Sequence, residues 1–367
     1  MAPTRADLSG GTLDLWPIYC AVGGGRTINV ALDLWASVTF EVLPSVVFKM
    51  EIESFGNQKC SFEEPMTADE IRKLPASVQF PAFVASHFLR QQDGLPEQCI
   101  QMKLETLAPL RSGLGGSSTL AVAMVRGFGR IFNQFVEQGW QWRLLEWVRD
   151  CEAAFLNTPT GTQDYLAALF GGLKSYTSEV GGIRLDEYSD SVREGLKERL
   201  LVIFSGEMHS SGLSNWELYK AAMEGNADVM RGFHAIQAIS EKLHLELSSR
   251  VVNWKNIGAC LNEEWKTRQQ VFKVHTPRLN EIVDFLSQQK VLGRKVCGAA
   301  QGGSLIALVE PDHRERVIKA CEQTGIQILK ASPAAQGVHI LSGPEQLWTG
   351  SSKPAKKKKI DRHSDII

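Results

Sequence analysis

The stretch APLRSGLGGSSTLAVAMV, from Ala108 to Val125, sets Gly113, Gly115, Gly116, Ser117 and Ser118 directly ahead of an apolar run with helical spacing. Preceded by the alternating IQMKLET, it reads as strand, glycine turn, hydroxyls, helix. That order builds an anion site. The first-turn amides of a helix have no intrahelical partner, and the helix dipole adds partial positive charge there. Glycines let backbone N–H groups approach a polyphosphate closely. Ser117 and Ser118 add hydroxyl ligands for phosphate or magnesium. The stretch lacks the G-K-[ST] of a Walker A loop and the G-x-G-x-x-G of a dinucleotide turn. A glycine turn that only caps a packed helix is the other reading of these residues.

Three further stretches separate the two readings. Pro109 and the run Ser112-Gly113-Leu114-Gly115-Gly116-Ser117-Ser118 closely resemble the phosphate loop of the GHMP kinases, the superfamily of galactokinase, homoserine kinase, mevalonate kinase and phosphomevalonate kinase. RADLSGGTLDLWPIY, from Arg5, resembles the first motif of the sugar-kinase branch, in which an arginine precedes a G-G-x-x-D turn. GTQDYLAALFGG, from Gly161, resembles that branch's G-x-Q-D segment, and GRKVCGAAQGGSLIALV, from Gly293, resembles its third, glycine-rich motif. Four motifs in order are far more specific than any one of them. Within the branch the motifs are most similar to those of heptose-7-phosphate kinases and fucokinases. The resemblance implies an α+β, two-domain fold: an N-terminal ribosomal-protein-S5-like α/β domain and a C-terminal ferredoxin-like split βαβ domain. It also implies ATP and Mg²⁺ as cofactors and a sugar or sugar-phosphate acceptor, phosphorylated on a hydroxyl, the anomeric one in a heptose-7-phosphate-kinase-like reaction.

The resemblance assigns roles residue by residue. Asp164 is the expected catalytic carboxylate, orienting the acceptor hydroxyl and taking its proton; an N-cap for the helix YLAALF is its alternative. Arg5 is expected beside Asp164, offsetting charge on the transferring phosphoryl group; a surface arginine is the alternative. Pro109 and Ser112 to Ser118 are expected to bind nucleotide. Ser117, with Ser118 second, and Glu152, nine residues before Gly161, are expected to hold magnesium; Glu152 also suits a helix surface beside Asp150. Asp14, assisted by Gly11, Thr12 and Gln163, is expected to bind sugar hydroxyls, since a carboxylate accepts two such protons at once. In GEMHSSGLSNW, His209 and Ser211 are weaker substrate candidates, and in the third motif Gly302 and Gly303 join them. That third motif departs from the family's G-A-G-G-G-G, with Ala300 and Gln301 replacing two glycines. The departure is the one feature that favours a kinase-fold ligand sensor or regulator over an enzyme.

The elements must then position these residues. TINVALDL (27–34) and SVTFEVL (37–43) are expected as neighbouring strands, and IQMKLET as a half-buried one with Met102 and Leu104 inside. Helices are expected from Thr119 to Phe132 and from Gln141 to Leu156, and RLLVIFSG (199–206) as a buried strand. Three or four helices follow between 215 and 289, then a β-β-α-β end. The expected domains are 1–185, for nucleotide and sugar, and 195–345, with their boundary in the polar stretch 178–194 and a basic, disordered tail at 350–367.

At 367 residues, with 43% apolar and 22% charged side chains, the chain can bury two ordinary cores. A net charge of −1 gives no global basic field, so no nucleic-acid partner is expected beyond a weak contact through the lysine tail. Seven scattered cysteines without a C-x-x-C pair suggest reduced thiols and a cytoplasmic protein. No signal peptide and no membrane span are expected; a monomer or homodimer is.

Overall fold

The computed structural model describes residues 1–207, 211–272, 276–298 and 303–341, with 211–215 described by backbone alone. The chain opens with β1 (Ala2–Ser9), the short helix α1 (Ile18–Ala21) and β2 (Gly25–Pro44), followed by β3 (Lys49–Ser54) and β4 (Gln58–Phe62). Helices α2 (Ala68–Arg72) and α3 (Ala76–Leu89) lead to β5 (Gln98–Thr106). Then come α4 (Gly116–Ile131), α5 (Trp140–Leu156), α6 (Gln163–Phe170) and the hairpin β6 (Leu173–Glu179) and β7 (Gly182–Glu187). These strands form one mixed sheet in the order β4-β3-β5-β2-β6-β7, with β1 also on β2 and only the β3–β5 pair parallel.

The two strands expected at 27–34 and 37–43 are one. Nothing between Leu34 and Ser37 supplies a turn, so β2 runs unbroken for 20 residues. It meets β6 over Gly25–Val30, β1 over Ile28–Ala36 and β5 over Ala36–Pro44. The polar stretch 178–194 is likewise more ordered than its composition suggests, because β7 pairs back on β6 around a glycine turn.

After α7 (Asp190–Arg199) and β8 (Leu200–Phe204) come α8 (Ser211–Met223), α9 (Ala227–Ser248), α10 (Trp254–Thr267) and α11 (Pro277–Gln288). The expected β-β-α-β end follows as β9 (Gly293–Val296), β10 (Ser304–Leu308), α12 (Pro311–Gln323) and β11 (Gln327–Leu329). Its sheet is antiparallel throughout, in the order β11-β8-β10-β9.

One apolar core lies between the first sheet and α3 to α6, and a second between the other sheet and α8 to α12. A third joins the two sheets, with Ala6, Leu8 and Ile28 packed among Leu196, Val202, Ile239 and Ile306. Each large aliphatic side chain buried there contributes about 1.5–3 kcal/mol. Leu13, Leu15 and Ile18, just past the first glycine turn, belong to the second core. The turn is thus anchored from both halves.

Candidate active site

Alternation along β1 sends Ala6 and Leu8 into the joining core and puts Arg5, Asp7 and Ser9 on the opposite face. Arg5 is 3% exposed, which rules out the surface reading. Its Nε and Nη2 both reach Asp164 Oδ1, at 2.7 and 2.5 Å, and its Nη1 donates to the Gly113 carbonyl at 2.7 Å. The guanidinium therefore ties the first motif to the G-x-Q-D segment and to the glycine-serine loop. Burial lowers its pKa, but the charges of Asp164 and Asp7 outweigh that and raise it. Asp164 lies in the first turn of α6, where the helix dipole favours a carboxylate, and the N-cap position belongs to Thr162. Since both Arg5 donors land on Oδ1, Asp164 Oδ2 is left facing Gly115. A Cβ on Gly115 would come within 3.1 Å of that oxygen, and its φ of 74° is one that only glycine adopts without strain.

Asp14 sits beneath the same helix start. Its Oδ2 accepts the backbone N–H of Thr162 at 2.5 Å and of Gln163 at 2.8 Å, so it caps α6 from 148 residues away in sequence. Gly161 makes room for it, because a Cβ there would lie 2.2 Å from Asp14 Oδ2. Burial raises the Asp14 pKa against the pull of these hydrogen bonds. Asp14 Oδ1, Thr162 Oγ1, Gln163 Oε1 and Asp7 Oδ1 are buried with no hydrogen-bond partner among the described residues. An orphaned buried polar atom costs about 1–3 kcal/mol, so four such atoms on β1, the first glycine turn and the start of α6 form an unusual concentration. Thr12, buried in that turn, has φ 82°, a strained value for a β-branched residue. Gly11 packs on Asp7 and Gln163, its missing Cβ leaving room for the Asp7 carboxylate.

A cavity of about 590 Å³ opens against Asp14 and Thr162, with Trp16, Tyr19 and Trp142 among its walls and Arg149 beside them. Trp16 and Tyr19 end the first motif without a role assigned to them there, and Trp142 and Arg149 lie outside all four motifs.

Glu152, on α5, is buried and belongs to the site, not to a helix surface. Its Oε2 accepts from Ser118 Oγ at 2.7 Å and from Tyr165 Oη at 2.6 Å. Burial raises its pKa over the opposing hydrogen bonds from Tyr165, Ser118 and Ser117. Ser117 is exposed at the start of α4 and Ser118 is buried. A buried carboxylate whose partners are hydroxyls, beside a helix N-terminus that favours phosphate, is a hard-oxygen donor set suited to Mg²⁺. Among the described residues no three His, Cys, Asp or Glu side chains cluster as a metal cage. Magnesium, which keeps waters and nucleotide oxygens, needs none.

In the glycine-serine loop, Leu114 is buried and its carbonyl accepts the Arg5 N–H at 3.1 Å, while Pro109 is half-buried and Gly116 lies open. Ser112 is buried and its carbonyl accepts the Ser304 N–H at 2.7 Å. Gly303 packs on that carbonyl, which a Cβ would approach to 2.6 Å, and Gly298 packs on Gly113. The ends of the third motif are thus seated on the loop. His209, Gly302, Ala300 and Gln301 lie outside the described residues, as do the lysine tail and the side chain of Ser211.

The family described as GHMP kinases N terminal domain matches residues 80–172, and GHMP kinases C terminal matches 247–327. The bifunctional fucokinase/GDP-fucose pyrophosphorylase of Arabidopsis thaliana is 26% identical over 86% of this chain, which spans only 30% of that longer protein. The D-glycero-alpha-D-manno-heptose 7-phosphate kinase of Campylobacter jejuni is 22% identical over 92% of this chain and 96% of its own length. Among solved structures, a D-glycero-D-manno-heptose 1-phosphate kinase from Bacteroides thetaiotaomicron shares the fold, with a TM-score of 0.71, 20% identity and coverage of 93% of this chain and 98% of that one. The chain thus carries, in order along it, stretches that match the N-terminal and C-terminal domains of the GHMP kinases, on a fold shared with a solved kinase.

Proposed function

We propose that the protein transfers the γ-phosphate of ATP to a hydroxyl, the anomeric one, of a sugar or sugar phosphate. The observation that carries this reading is the buried Arg5–Asp164 pair at the Gly113 carbonyl, which joins a carboxylate, a guanidinium and an anion-binding loop at one point.

The amides of Gly113 to Ser118 cradle the phosphates at the start of α4. Asp164 orients the acceptor hydroxyl through its Oδ2 and takes the proton as the phosphoryl group arrives. Arg5 stays on Oδ1 and offsets charge on the transferring oxygens. Ser117, Ser118 and Glu152 would hold Mg²⁺, which when bound neutralises phosphate charge and orients the nucleotide. The unpaired acceptors of Asp14, Thr162 and Gln163 are matched by hydroxyl donors, and the aromatic walls beside them by the apolar face of a sugar ring. Named relatives that act on heptose phosphates and fucose support the same substrate class.

A panel of free and phosphorylated sugars, assayed by ADP release, tests the reading. Acceptor-dependent ADP release is expected, and Asp164→Asn should lower kcat by about 10²–10⁴-fold with nucleotide affinity near that of the wild type. Full turnover in Asp164→Asn would remove it from the base role. ATP binding with no acceptor-dependent release across the panel would favour a ligand sensor.

A further inference from the structure

Four charged side chains lie buried together where the second half of the chain meets β1. Lys295 Nζ, on β9, donates to Asp7 Oδ2 at 2.6 Å and to the Asp7 carbonyl at 3.1 Å, and stands 3.4 Å from Glu264 Oε1. Glu264, on α10, accepts from Arg268 Nε at 2.9 Å on the same oxygen. Its other oxygen accepts from Ser9 Oγ at 2.5 Å and from the Gly10 N–H at 3.2 Å. Arg268 completes the set by donating to the Gly11 carbonyl at 2.6 Å. Asp7, Glu264 and Lys295 are 0% exposed and Arg268 2%.

Taking such charges out of water is costly, and apolar side chains of similar volume usually serve stability as well or better. The reason for this set lies in what it touches. Every group it holds on the N-terminal side (Asp7, Ser9, Gly10 and Gly11) falls between Arg5 and Asp14. Arg5 and Asp7 share one face of β1 two residues apart, so a slip of the strand at Asp7 moves the guanidinium relative to Asp164. We propose that Lys295, acting with Glu264 and Arg268, is a positioning residue for phosphoryl transfer, holding the strand and turn that carry Arg5 and Asp14 in register with Asp164. The proposal rests on the reading of Arg5 and Asp164 as transfer machinery. A misplacement of about 1 Å at a reacting centre costs roughly 10²-fold in rate, which sets the size of the effect.

The test uses the full chain, with kcat and KM from ADP release, nucleotide affinity from titration with a fluorescent ATP analogue, and folding from thermal melts by circular dichroism. Lys295→Met alone leaves Asp7 charged and buried, so the informative variant is Lys295→Met with Asp7→Asn, in which Glu264 and Arg268 still balance. The double variant is expected to melt near the wild type and bind nucleotide within about threefold, while kcat falls about 10²-fold. Wild-type kcat in the folded double variant, or a loss confined to nucleotide affinity, overturns the proposal. If the double variant does not fold, Arg268→Lys decides, since it keeps its charge beside Glu264 but loses the Gly11 tether. A roughly tenfold lower kcat with an unchanged melt supports positioning, and an unchanged kcat overturns it. Asp164→Asn, run alongside, separates the two levels. Full turnover there overturns the transfer reading and the proposal with it, whereas an inactive Asp164→Asn beside a fully active double variant overturns the proposal alone.

Discussion

Asp14 joins two tasks that conflict in energy. One oxygen caps α6, and the other is buried without a partner, so burial raises its pKa. A carboxylate raised in the folded state contributes stability that is fully present below its unfolded pKa, about 3.9, and lost as pH rises through the folded value. Asp14→Asn keeps an oxygen for the two backbone N–H groups and cannot ionise. Its stability relative to the wild type should therefore be greatest at neutral pH, with the gap closing as pH falls toward about 4. Urea unfolding across that range measures this. The same variant should lose about 10–10²-fold in kcat/KM for the acceptor, since a charge-assisted hydrogen bond contributes about 1.5–3 kcal/mol. Glu152 gives a parallel case with a metal readout. Glu152→Gln should raise the Mg²⁺ concentration for half-maximal rate by about 10–100-fold, with kcat recovering at high Mg²⁺. Because burial favours the protonated form of Glu152, the wild type should also need more Mg²⁺ as pH falls, and the glutamine variant should show a weaker trend. An unchanged Mg²⁺ requirement would remove Glu152 from the metal site.

Elements decide which of these residues could be seen in sequence. Local order was legible wherever a single stretch carried its own signal. Alternation in IQMKLET marks β5, and the 3.6-residue spacing of Leu144, Val148 and Cys151 marks α5, each buried as expected. TINVALDL and SVTFEVL read as two strands in sequence, although the apolar alternation through Ile28, Val30, Leu32, Leu34, Ala36, Val38 and Phe40 keeps one phase and marks the single strand β2. Long-range polar pairing was not legible. Asp14 as the cap of α6, and Lys295 buried in the short strand β9, acquire meaning only when distant segments meet. A lysine in the run KVCGA was the one hint, since burying it requires an acid partner. Gly115 belongs to this scale because it forms the left-handed N-cap of α4 and faces Asp164 at once. Gly115→Ala should cost about 1–2 kcal/mol from backbone strain alone. Its Cβ, 3.0 Å from Asp164 Cγ, must also displace the carboxylate, so kcat should fall further than nucleotide affinity. Thermal melts and steady-state kinetics on the purified variant check both. A stable variant with wild-type kcat would show that the helix start tolerates a side chain beside Asp164.

At the scale of the whole molecule the chain closes on itself. After β11 it leaves the second sheet and returns to the first, where Pro333 bridges to Leu32 of β2. The Ser332 carbonyl accepts from Asp33, Ala334 donates to the Ala31 carbonyl and accepts from Gly172, and Val338 donates to the Ala168 carbonyl on α6. His339 and Met1 exchange backbone hydrogen bonds, so the end of this strap is tied to the start of β1. The strap thus ties the start of β1, which carries Arg5, to α6, which carries Asp164. At about 1 kcal/mol net for each hydrogen bond, it contributes a substantial part of the 5–15 kcal/mol that holds a typical domain folded. Truncation after Lys330 should therefore lower the urea midpoint sharply and abolish turnover. Truncation after Ser351, which spares the strap, should leave both near the wild type. Measuring the two truncations together separates bracing from any contribution of the lysine-rich end. If loss of the strap left kcat and the urea midpoint intact, the register of β1 against α6 would be set by Arg5 and the buried ionic set alone.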